Sequence, residues 1–396
     1  MARKERGFFG KVIVFLLAFL AFIGLIAMVL SVVCPYVNPK RFVWTAFFGL
    51  AFWEILLFDV LVLLALLLLW SRKAWIAVLA ILIAIPGIRK SYSFGNKETE
   101  NNNSIRLMSY NVYMFQSVDK NKEKEAAAAD IIRIVQEQSP DILCCQEFCA
   151  FSRKISRDNC IKVFADSIDM PYIYYNKKRN YGGNVVFSKY PIVKVTEGTG
   201  FSQEETYGIL VSVDAGGKGK FYLADIHLVS NMITSSEIEK LRKTNEYQQT
   251  LDTVGKSVLN KLINAYVLRS DEVTEMLQGF SPIDGPTILC GDFNDTPMSY
   301  TYRQIHKAGF TDTFTKVGRG IKPTYAGKLP LLRIDYMWAN NQVQPLNFKR
   351  CRIKASDHYP IILEFSIDKS SVKQEMKPVE NNLDNSEIQL NNTEII

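Results

Sequence analysis

Between Lys11 and Val33 the chain is almost unbroken Val, Leu, Ala, Phe and Ile. A run of that length leaves few folds open to it. As a helix it matches the ~20 apolar residues that a bilayer core demands. It is too long, and lacks the small-residue cleavage site, to be a simple secretory signal. A second apolar run extends from Phe42 to Trp70 and carries Glu54 and Asp59 inside it. Charge is costly in hydrocarbon, so these acids either face neighbouring helices or lie nearer an interface. A third run, Ala74 to Ile88, is short for a span and is interrupted by Pro86-Gly87. Trp44, Trp53, Trp70 and Trp75 fall mostly near run ends, where interfacial aromatics collect. Residues 1–90 therefore read as a transmembrane region of two to three helices.

Basic residues orient it. Arg3, Lys4, Arg6 and Lys11 precede the first run and favour a cytoplasmic N-terminus. Lys40 and Arg41 in the first loop nearly cancel Arg72 and Lys73 in the second. Three spans leave the remainder of the chain outside the cytoplasm; two leave it inside. We expect three, hence an integral, multi-pass protein with an extracytoplasmic globular part.

Residues 91–104 are polar and aperiodic and read as a linker. Periodic sequence resumes at Ile105 and ends near Ile367. From there to residue 396 the chain is rich in Asn, Glu and Ser, the composition of a disordered tail. Within 105–367, strand-like and helix-like stretches alternate, which predicts an α/β domain. Ile105–Tyr113, Asp141–Cys145 and Gly183–Ser188 read as strands. Ile209–Val213 and Phe221–Leu228 form a hairpin about Gly216-Gly217. Lys124–Glu137 and Ser235–Leu277 read as helices, the second with an apolar stripe through Leu251, Val258, Leu262 and Tyr266. The seven cysteines show no CxxC spacing, which excludes a zinc knuckle or redox pair. Cys144, Cys145 and Cys290 sit in apolar runs and read as core. The net charge of +7 suits an anionic substrate or lipid without selecting either.

The chemistry lies at strand tips. Thr287-Ile288-Leu289-Cys290 stops at Gly291, and Asp292 and Asn294 follow two apart, facing one way while Phe293 packs beneath. By itself this is equally a strand ending in a turn. Five more stretches repeat the pattern: Ser109-Tyr110-Asn111, Gln146-Glu147, Asp225-Ile226-His227, Arg333-Ile334-Asp335-Tyr336 and Ser356-Asp357-His358. Two of the chain's three histidines, His227 and His358, fall in them. A hard ion such as Mg²⁺, or Mn²⁺, takes oxygen ligands, and Asn111, Glu147 and Asp357 supply them. A carboxylate beside an imidazole holds its tautomer and supports its charge, which suits Asp335 and His358. The set points to metal-assisted phosphoryl transfer.

In this order the motifs resemble those of the endonuclease/exonuclease/phosphatase superfamily, which includes pancreatic-type deoxyribonuclease, abasic-site endonucleases and neutral sphingomyelinases. The resemblance covers about Ile105 to Ile367. It implies a four-layer sandwich of two mixed β-sheets flanked by helices, with the site at one edge. It implies that Asn111 and Glu147 bind the metal with help from Asp357, and that Asp292 and Asn294 position the attacking water and the phosphate. It further implies that Asp335 pairs with His358 for phosphate contact or proton transfer, and that His227 donates to the phosphate or the leaving oxygen. Asp225 departs from the family pattern; it could bind a second metal, raise the basicity of His227, or face the core. The basic cluster Lys177-Lys178-Arg179 is either a solvated loop or a substrate contact. The expected substrate is a phosphoester, a lipid headgroup by virtue of the anchor or, alternatively, DNA or RNA. A non-catalytic membrane binding protein would have lost some of the six tips, and none is lost. The oligomeric state is open.

Overall fold

Four strands carry an apolar stripe of period two that turns polar towards one end, and these stripes build the centre of the molecule. They run Ile105-Leu107-Ser109-Asn111, Ile142-Cys144-Gln146, Leu223-Asp225-His227 and Ile288-Cys290-Asp292, and side chains two apart share a face. The apolar members meet in one buried cluster with Val211, Phe221, Met337, Leu363 and Phe365. That cluster is the seam between two sheets. The computed structural model describes residues 7–95, 101, 103–116, 122–175, 182–195, 208–231, 248–280, 283–327 and 332–367.

The helices of the N-terminal region are α1 (Phe8–Val33), α2 (Trp44–Leu50), α3 (Phe52–Leu68) and α4 (Trp75–Ser91). The strands are β1 (Ser93–Phe94), β2 (Ile105–Asn111), β3 (Ile142–Phe148), β4 (Tyr172–Tyr175), β5 (Gly183–Ser188), β6 (Ile192–Lys194) and β7 (Gly208–Asp214). They continue as β8 (Lys220–His227), β9 (Thr287–Asp292), β10 (Thr311–Asp312), β11 (Arg319–Gly320), β12 (Asp335–Ala339), β13 (Val343–Arg350) and β14 (Ile361–Ile367). The later helices are α5 (Lys124–Gln138), α6 (Arg157–Ser167), α7 (Gln248–Phe280), α8 (Tyr300–Lys307) and α9 (Thr313–Val317).

One six-stranded sheet has the order β13-β14-β2-β3-β5-β4 and the other β10-β12-β9-β8-β7-β6. Each is mixed, with one parallel pair at its middle, β2 with β3 and β8 with β9, and antiparallel pairs elsewhere. The outer face of the first sheet buries Met108, Leu143 and Phe187 against Ile131 and Val135 of α5 and Phe164 of α6. The outer face of the second buries Ala224, Leu289 and Trp338 against Val273 and Met276 of α7 and Ile305 of α8. The result is a helix–sheet–sheet–helix sandwich, as the sequence led us to expect.

Two N-terminal helices are long and apolar enough to cross a membrane, at Phe8–Tyr36 and Arg72–Ser91; α2 and α3 make a third only if the pair, bent by 66°, counts as one span. The single second run read from the sequence is thus two helices hinged at Ala51. The Pro86-Gly87 break also differs from expectation, because α4 continues through it to Ser91. Pro86 lies inside the helix, where it forfeits one N–H bond and crowds the Leu82 carbonyl, and Gly87 gives Phe52 room: a Cβ there would stand 2.5 Å from its ring. The helices pack through small residues, Ala18, Ala21 and Gly24 on α1 and Ala77, Ala80 and Ala84 on α4, which lets backbones approach where hydrocarbon surrounds them. Of the two acids, only Asp59 faces a neighbouring helix in the way expected. Asp59 is fully buried against Gly24, and Glu54 is exposed within a turn of the bend.

The segment read as a linker is tied down in part, since Ser93 and Phe94 pair with Gly320 and Arg319. The basic cluster at 177–179, the first residues of the helix read from Ser235, and the tail lie outside the described residues.

Candidate active site at the strand ends

The polar ends of the four stripes converge at one rim of the sheet seam. In the register, His227 on β8 stands beside Asp292 on β9, and Asp335 at the start of β12 stands opposite the same Asp292. Asn111, at the end of β2, donates through Nδ2 to Asp292 Oδ2 at 3.1 Å across the seam, and to Glu147 Oε1 at 3.2 Å. Glu147 reaches this face by a departure from strand geometry. Alternation would put it on the outer face with Cys145. The pairing with β5 slips between Cys145 and Phe148, and Glu147 adopts φ 56°. A bulge of this kind re-aims a side chain at the edge of a sheet, and a non-glycine residue held left-handed stores strain that persists where the surroundings fix it.

His358 completes the site. Its Nδ1 faces Asp335 at 2.9 and 3.1 Å, and its Nε2 lies 3.6 Å from Asp292 Oδ2 and 4.0 Å from Asp357 Oδ1. Ser356 holds the loop, donating to the Asn111 carbonyl at 2.7 Å and accepting from the His358 N–H at 3.2 Å. His227 Nε2 is 3.6 Å from Glu147 and 3.9 Å from Asp292, too long for hydrogen bonds, and is a buried atom with no hydrogen-bond partner among the described residues. All eight residues singled out in the sequence as metal or catalytic candidates are brought together here. Asn294 stands apart in what it does: its amide donates to the Leu228 carbonyl at 3.0 Å and its N–H to Asp292 Oδ1 at 2.9 Å. It ties the exits of β8 and β9 together and steadies Asp292. Gly291 is required where these strands meet, because a Cβ would fall 1.9 Å from the Ile226 carbonyl, at φ 132°.

The electrostatics follow from burial and crowding. Burial raises the Asp292 carboxyl, the His358 charge pulls it back, and Asp335 adds to the rise. Burial pushes Asp357 up to about 6, with His358 opposing and Glu147 and Asp292 assisting. Burial alone would lower His358, but the carboxylates of Asp335 and Asp292 outweigh it and hold the ring well above its ordinary value. His358 is therefore an imidazolium clamped between two acids. Among the described residues no lysine or arginine pairs with Glu147, Asp292 or Asp357. Crowded oxygen donors, short of positive charge, fit a hard divalent cation; Glu147 and Asp357 offer carboxylate oxygens there, while Asn111 turns Nδ2 towards Glu147 and Asp292 and its Oδ1 accepts from the Tyr113 N–H at 2.9 Å. Asp292, Asp335 and His358 also cluster closely enough to hold an ion, but both ring nitrogens of His358 already face carboxylates.

Asp225 faces the core. It is fully buried one step below His227, accepts from Gln146 Nε2, and lies against Cys144 and Cys290. Burial holds its carboxyl far above the ordinary range despite that hydrogen bond, so it is a neutral acid in the seam. Two residues escaped the sequence reading. The Tyr325 ring packs edge-on against His358 at 5.5 Å, and Tyr113 lies near Asp357 and Glu147, whose charges add to burial in raising its phenol. Tyr325 sits in an aperiodic coil that gives no signal, and Tyr113 was taken as the end of a strand.

The loops that carry the site also fasten it to the N-terminal helices. Met298 is buried among Met28, Phe52, Ala80 and Ala84, four residues past Asn294 and so no more than about 14 Å from it. Arg333 donates to the Lys90 carbonyl at the end of α4 and pairs with Asp312 at 2.7 Å; Asp335 is two residues on. On the other side Lys40 pairs with Asp271 of α7, and Phe47 packs on Tyr266 at 5.8 Å. Arg269 of α7 donates to Val229 and Asn231 beyond β8, at 3.0 and 2.8 Å.

Comparison with known proteins divides the chain at the same junction. Residues 108–358 match the model of the Endonuclease/Exonuclease/phosphatase family, and residues 11–91 match a domain of unknown function. No curated protein matches. Similar solved structures include an endonuclease/exonuclease/phosphatase from Beutenbergia cavernae DSM 12333, 17% identical over 67% of this chain and 72% of that one, with a TM-score of 0.45. The human Nocturnin catalytic domain with bound sulfate is 16% identical over 68% and 97%, TM-score 0.46. An AP endonuclease from Archaeoglobus fulgidus is 14% identical over 67% and 99%, TM-score 0.43.

Proposed function

Since the chain belongs to the endonuclease/exonuclease/phosphatase family, we propose that it is a membrane-anchored, Mg²⁺- or Mn²⁺-dependent hydrolase that cleaves a phosphoester in the headgroup of a membrane lipid. The observation that carries the choice of substrate is the attachment of the site loops to the helix ends, through Met298 and through Arg333. A site held within about 14 Å of the bundle meets lipid headgroups at high local concentration.

The topology supports the same reading. The end of α1, the α2–α3 bend and the end of α4 all lie on the side of the sandwich, whereas Lys73, in the turn before α4, lies over Phe15 near the start of α1. Lys11, Arg72 and Lys73 then share the side of the N-terminus, and with Arg3, Lys4 and Arg6 in the sequence before them they outnumber Lys40, Arg41, Arg89 and Lys90 on the sandwich side, which favours a cytoplasmic N-terminus. Three spans, the bent α2–α3 pair counted as one, leave the catalytic domain extracytoplasmic.

Asn111, Glu147 and Asp357 would hold the ion, which when bound neutralises charge on the phosphoryl group. Asp292, fixed by Asn111 and by the Asn294 N–H, orients water for in-line attack and takes its proton. His358 keeps its proton on account of Asp335 and donates from Nε2 to a phosphoryl oxygen. His227, whose Nε2 has no hydrogen-bond partner among the described residues, protonates the leaving oxygen. The test compares plasmid DNA with mixed phospholipid and sphingomyelin vesicles, using full-length protein in liposomes. Metal-dependent hydrolysis of lipid with slow or absent nicking is expected; rapid nicking beside inert lipid would make the protein a nuclease.

A further inference from the structure

Just past the end of α4 the chain makes a short strand pair that the catalytic cluster does not use. Ser93 pairs with Gly320 and Phe94 with Arg319. The Tyr92 ring stands edge-on to Phe94 at 5.0 Å, yet Phe94 remains 84% exposed. Ile321, two residues beyond Arg319, is exposed as well. Cations flank these two side chains. Arg350 donates to the Pro323 carbonyl and lies over the Tyr359 ring at 4.9 Å, which sets the end of β13 beside Lys322; Arg352 follows, exposed. Burial draws the Lys322 ammonium below its ordinary value, and the charges of Arg350, Arg352 and Arg319 add to that. Among the described residues none of these four cations pairs with a carboxylate. One exposed phenylalanine is ordinary surface. Two exposed apolar side chains among four cations without counter-ions have the composition of a contact with a membrane interface.

The patch stands where the membrane begins. Phe94 is three residues past Ser91, the last residue of the apolar helix Arg72–Ser91, and so within about 11 Å of it. Ile321 and Lys322 face Leu50, Trp53 and Ser91 across a narrow cleft. We propose that Phe94 and Ile321, with Arg319, Lys322, Arg350 and Arg352, form a surface that docks the catalytic domain on anionic phospholipid headgroups of the leaflet at the end of α4. The two apolar side chains enter the acyl boundary, and the guanidinium groups bind headgroup phosphates. Nucleic acid carries phosphates too, but the spans keep this surface beside lipid at high local concentration, and phenylalanine and isoleucine match an acyl boundary better than a phosphate backbone. Docking does not depend on which phosphoester the cluster cleaves. It does bear on the site, because Tyr325, three residues beyond Lys322, forms a backbone bridge with His358 and packs on its ring. A docked surface therefore holds the His358 end of the cluster at the headgroup layer.

The test uses full-length protein in liposomes of phosphatidylglycerol or of phosphatidylcholine, and neither readout requires turnover, so it stands apart from the question of substrate. In the first, Phe94→Cys carries an environment-sensitive fluorophore; the seven native cysteines are buried. Blue-shifted emission, quenched by lipids brominated high on the acyl chain, is expected in phosphatidylglycerol. The ratio of docked to free protein should fall at least about tenfold in phosphatidylcholine and in the double variant Arg319→Glu, Arg352→Glu, whose melting curve reports that it is folded. Salt at about 1 M, which screens charge beyond ~3 Å, should have the same effect. The second readout is hydrogen exchange of the unlabelled wild type, in which peptides over 92–95 and 319–322 should exchange more slowly in phosphatidylglycerol than in phosphatidylcholine. Water-like emission and equal exchange in both lipids would overturn the proposal, as would docking that is indifferent to lipid charge, salt and the double variant. Protection of the same peptides by a single-stranded oligonucleotide and not by phosphatidylglycerol would overturn it in favour of a nucleic-acid contact.

Discussion

Replacing Asp335 by Asn removes one charge and almost no volume, and its effect can be worked from the geometry. The carboxylate stands 2.9 Å from His358 Nδ1, and both groups are buried. At an effective dielectric of ~20, that contact is an attraction of about 6 kcal/mol. Burial of the ring opposes part of it, and a carboxylate at contact range ordinarily leaves a net shift of about 1–3 pH units. Asp292, 3.6 Å from the other ring nitrogen, remains in the variant, so we expect the His358 value to drop without losing all of its elevation. The amide can also donate to Nδ1, which would put the wrong tautomer at the site. If the imidazolium is the working form, rate is lost as pH rises through its folded value. The alkaline limb of the pH–rate profile should then move to lower pH in Asp335→Asn, with a loss of at least about tenfold at a pH between the two limbs. Stability follows the same sign. A histidine raised by folding contributes stability that is complete below its unfolded value of ~6.5 and lost as pH climbs through the folded value. The wild-type melting temperature should therefore exceed that of the variant by most at low pH and converge with it at high pH. Hydrolysis of bis-p-nitrophenyl phosphate across a pH series, with melting curves in the same buffers, is the assay. An equal loss at every pH with an unmoved alkaline limb would refute the charge argument and leave Asp335 a shape-filling residue.

Glu147→Gln should lower turnover at least ~100-fold while the protein stays folded, since it takes an oxygen donor and a charge from the ion's site; EDTA should abolish turnover in the wild type, and full activity in either case would contradict the assignment. Gly291→Ala sets a Cβ against the Ile226 carbonyl at 1.9 Å, and should cost at least ~3 kcal/mol or prevent folding; a denaturation midpoint near that of wild type would show the strands can part. Met298→Asp places a charge among Met28, Phe52 and Ala84, and should reduce hydrolysis of vesicle lipid more than hydrolysis of a soluble diester. Equal loss on both would mean that the contact only maintains the fold.

The seam and its rim were legible because both are written in period two. Ser109-Asn111, Asp225-His227 and Cys290-Asp292 continue apolar stripes, so strand, face and polar end follow from spacing. Glu147 was found by its motif and not by its spacing, which would have put it on the wrong face until the bulge turned it. The hinge at Ala51 has no proline to mark it, and Pro86, which reads as a break, lies inside a helix that continues through it to Ser91. Short strands such as Thr311–Asp312 are too brief to show a period. Arg333 was quoted for the motif it opens, but its attachment to Lys90 across 243 residues is a tertiary contact that no local pattern encodes. The docking of the loops onto the helices was invisible for the same reason.

The most direct measurement runs the reaction of full-length protein on phospholipid vesicles in heavy-oxygen water with Mg²⁺. Attack of water on phosphorus predicts the heavy oxygen in the phosphorylated product, none in the released alcohol, and no product with EDTA or with His358→Ala. Label in the alcohol, or lipid cleavage that proceeds unchanged without metal or without His358, would contradict the account.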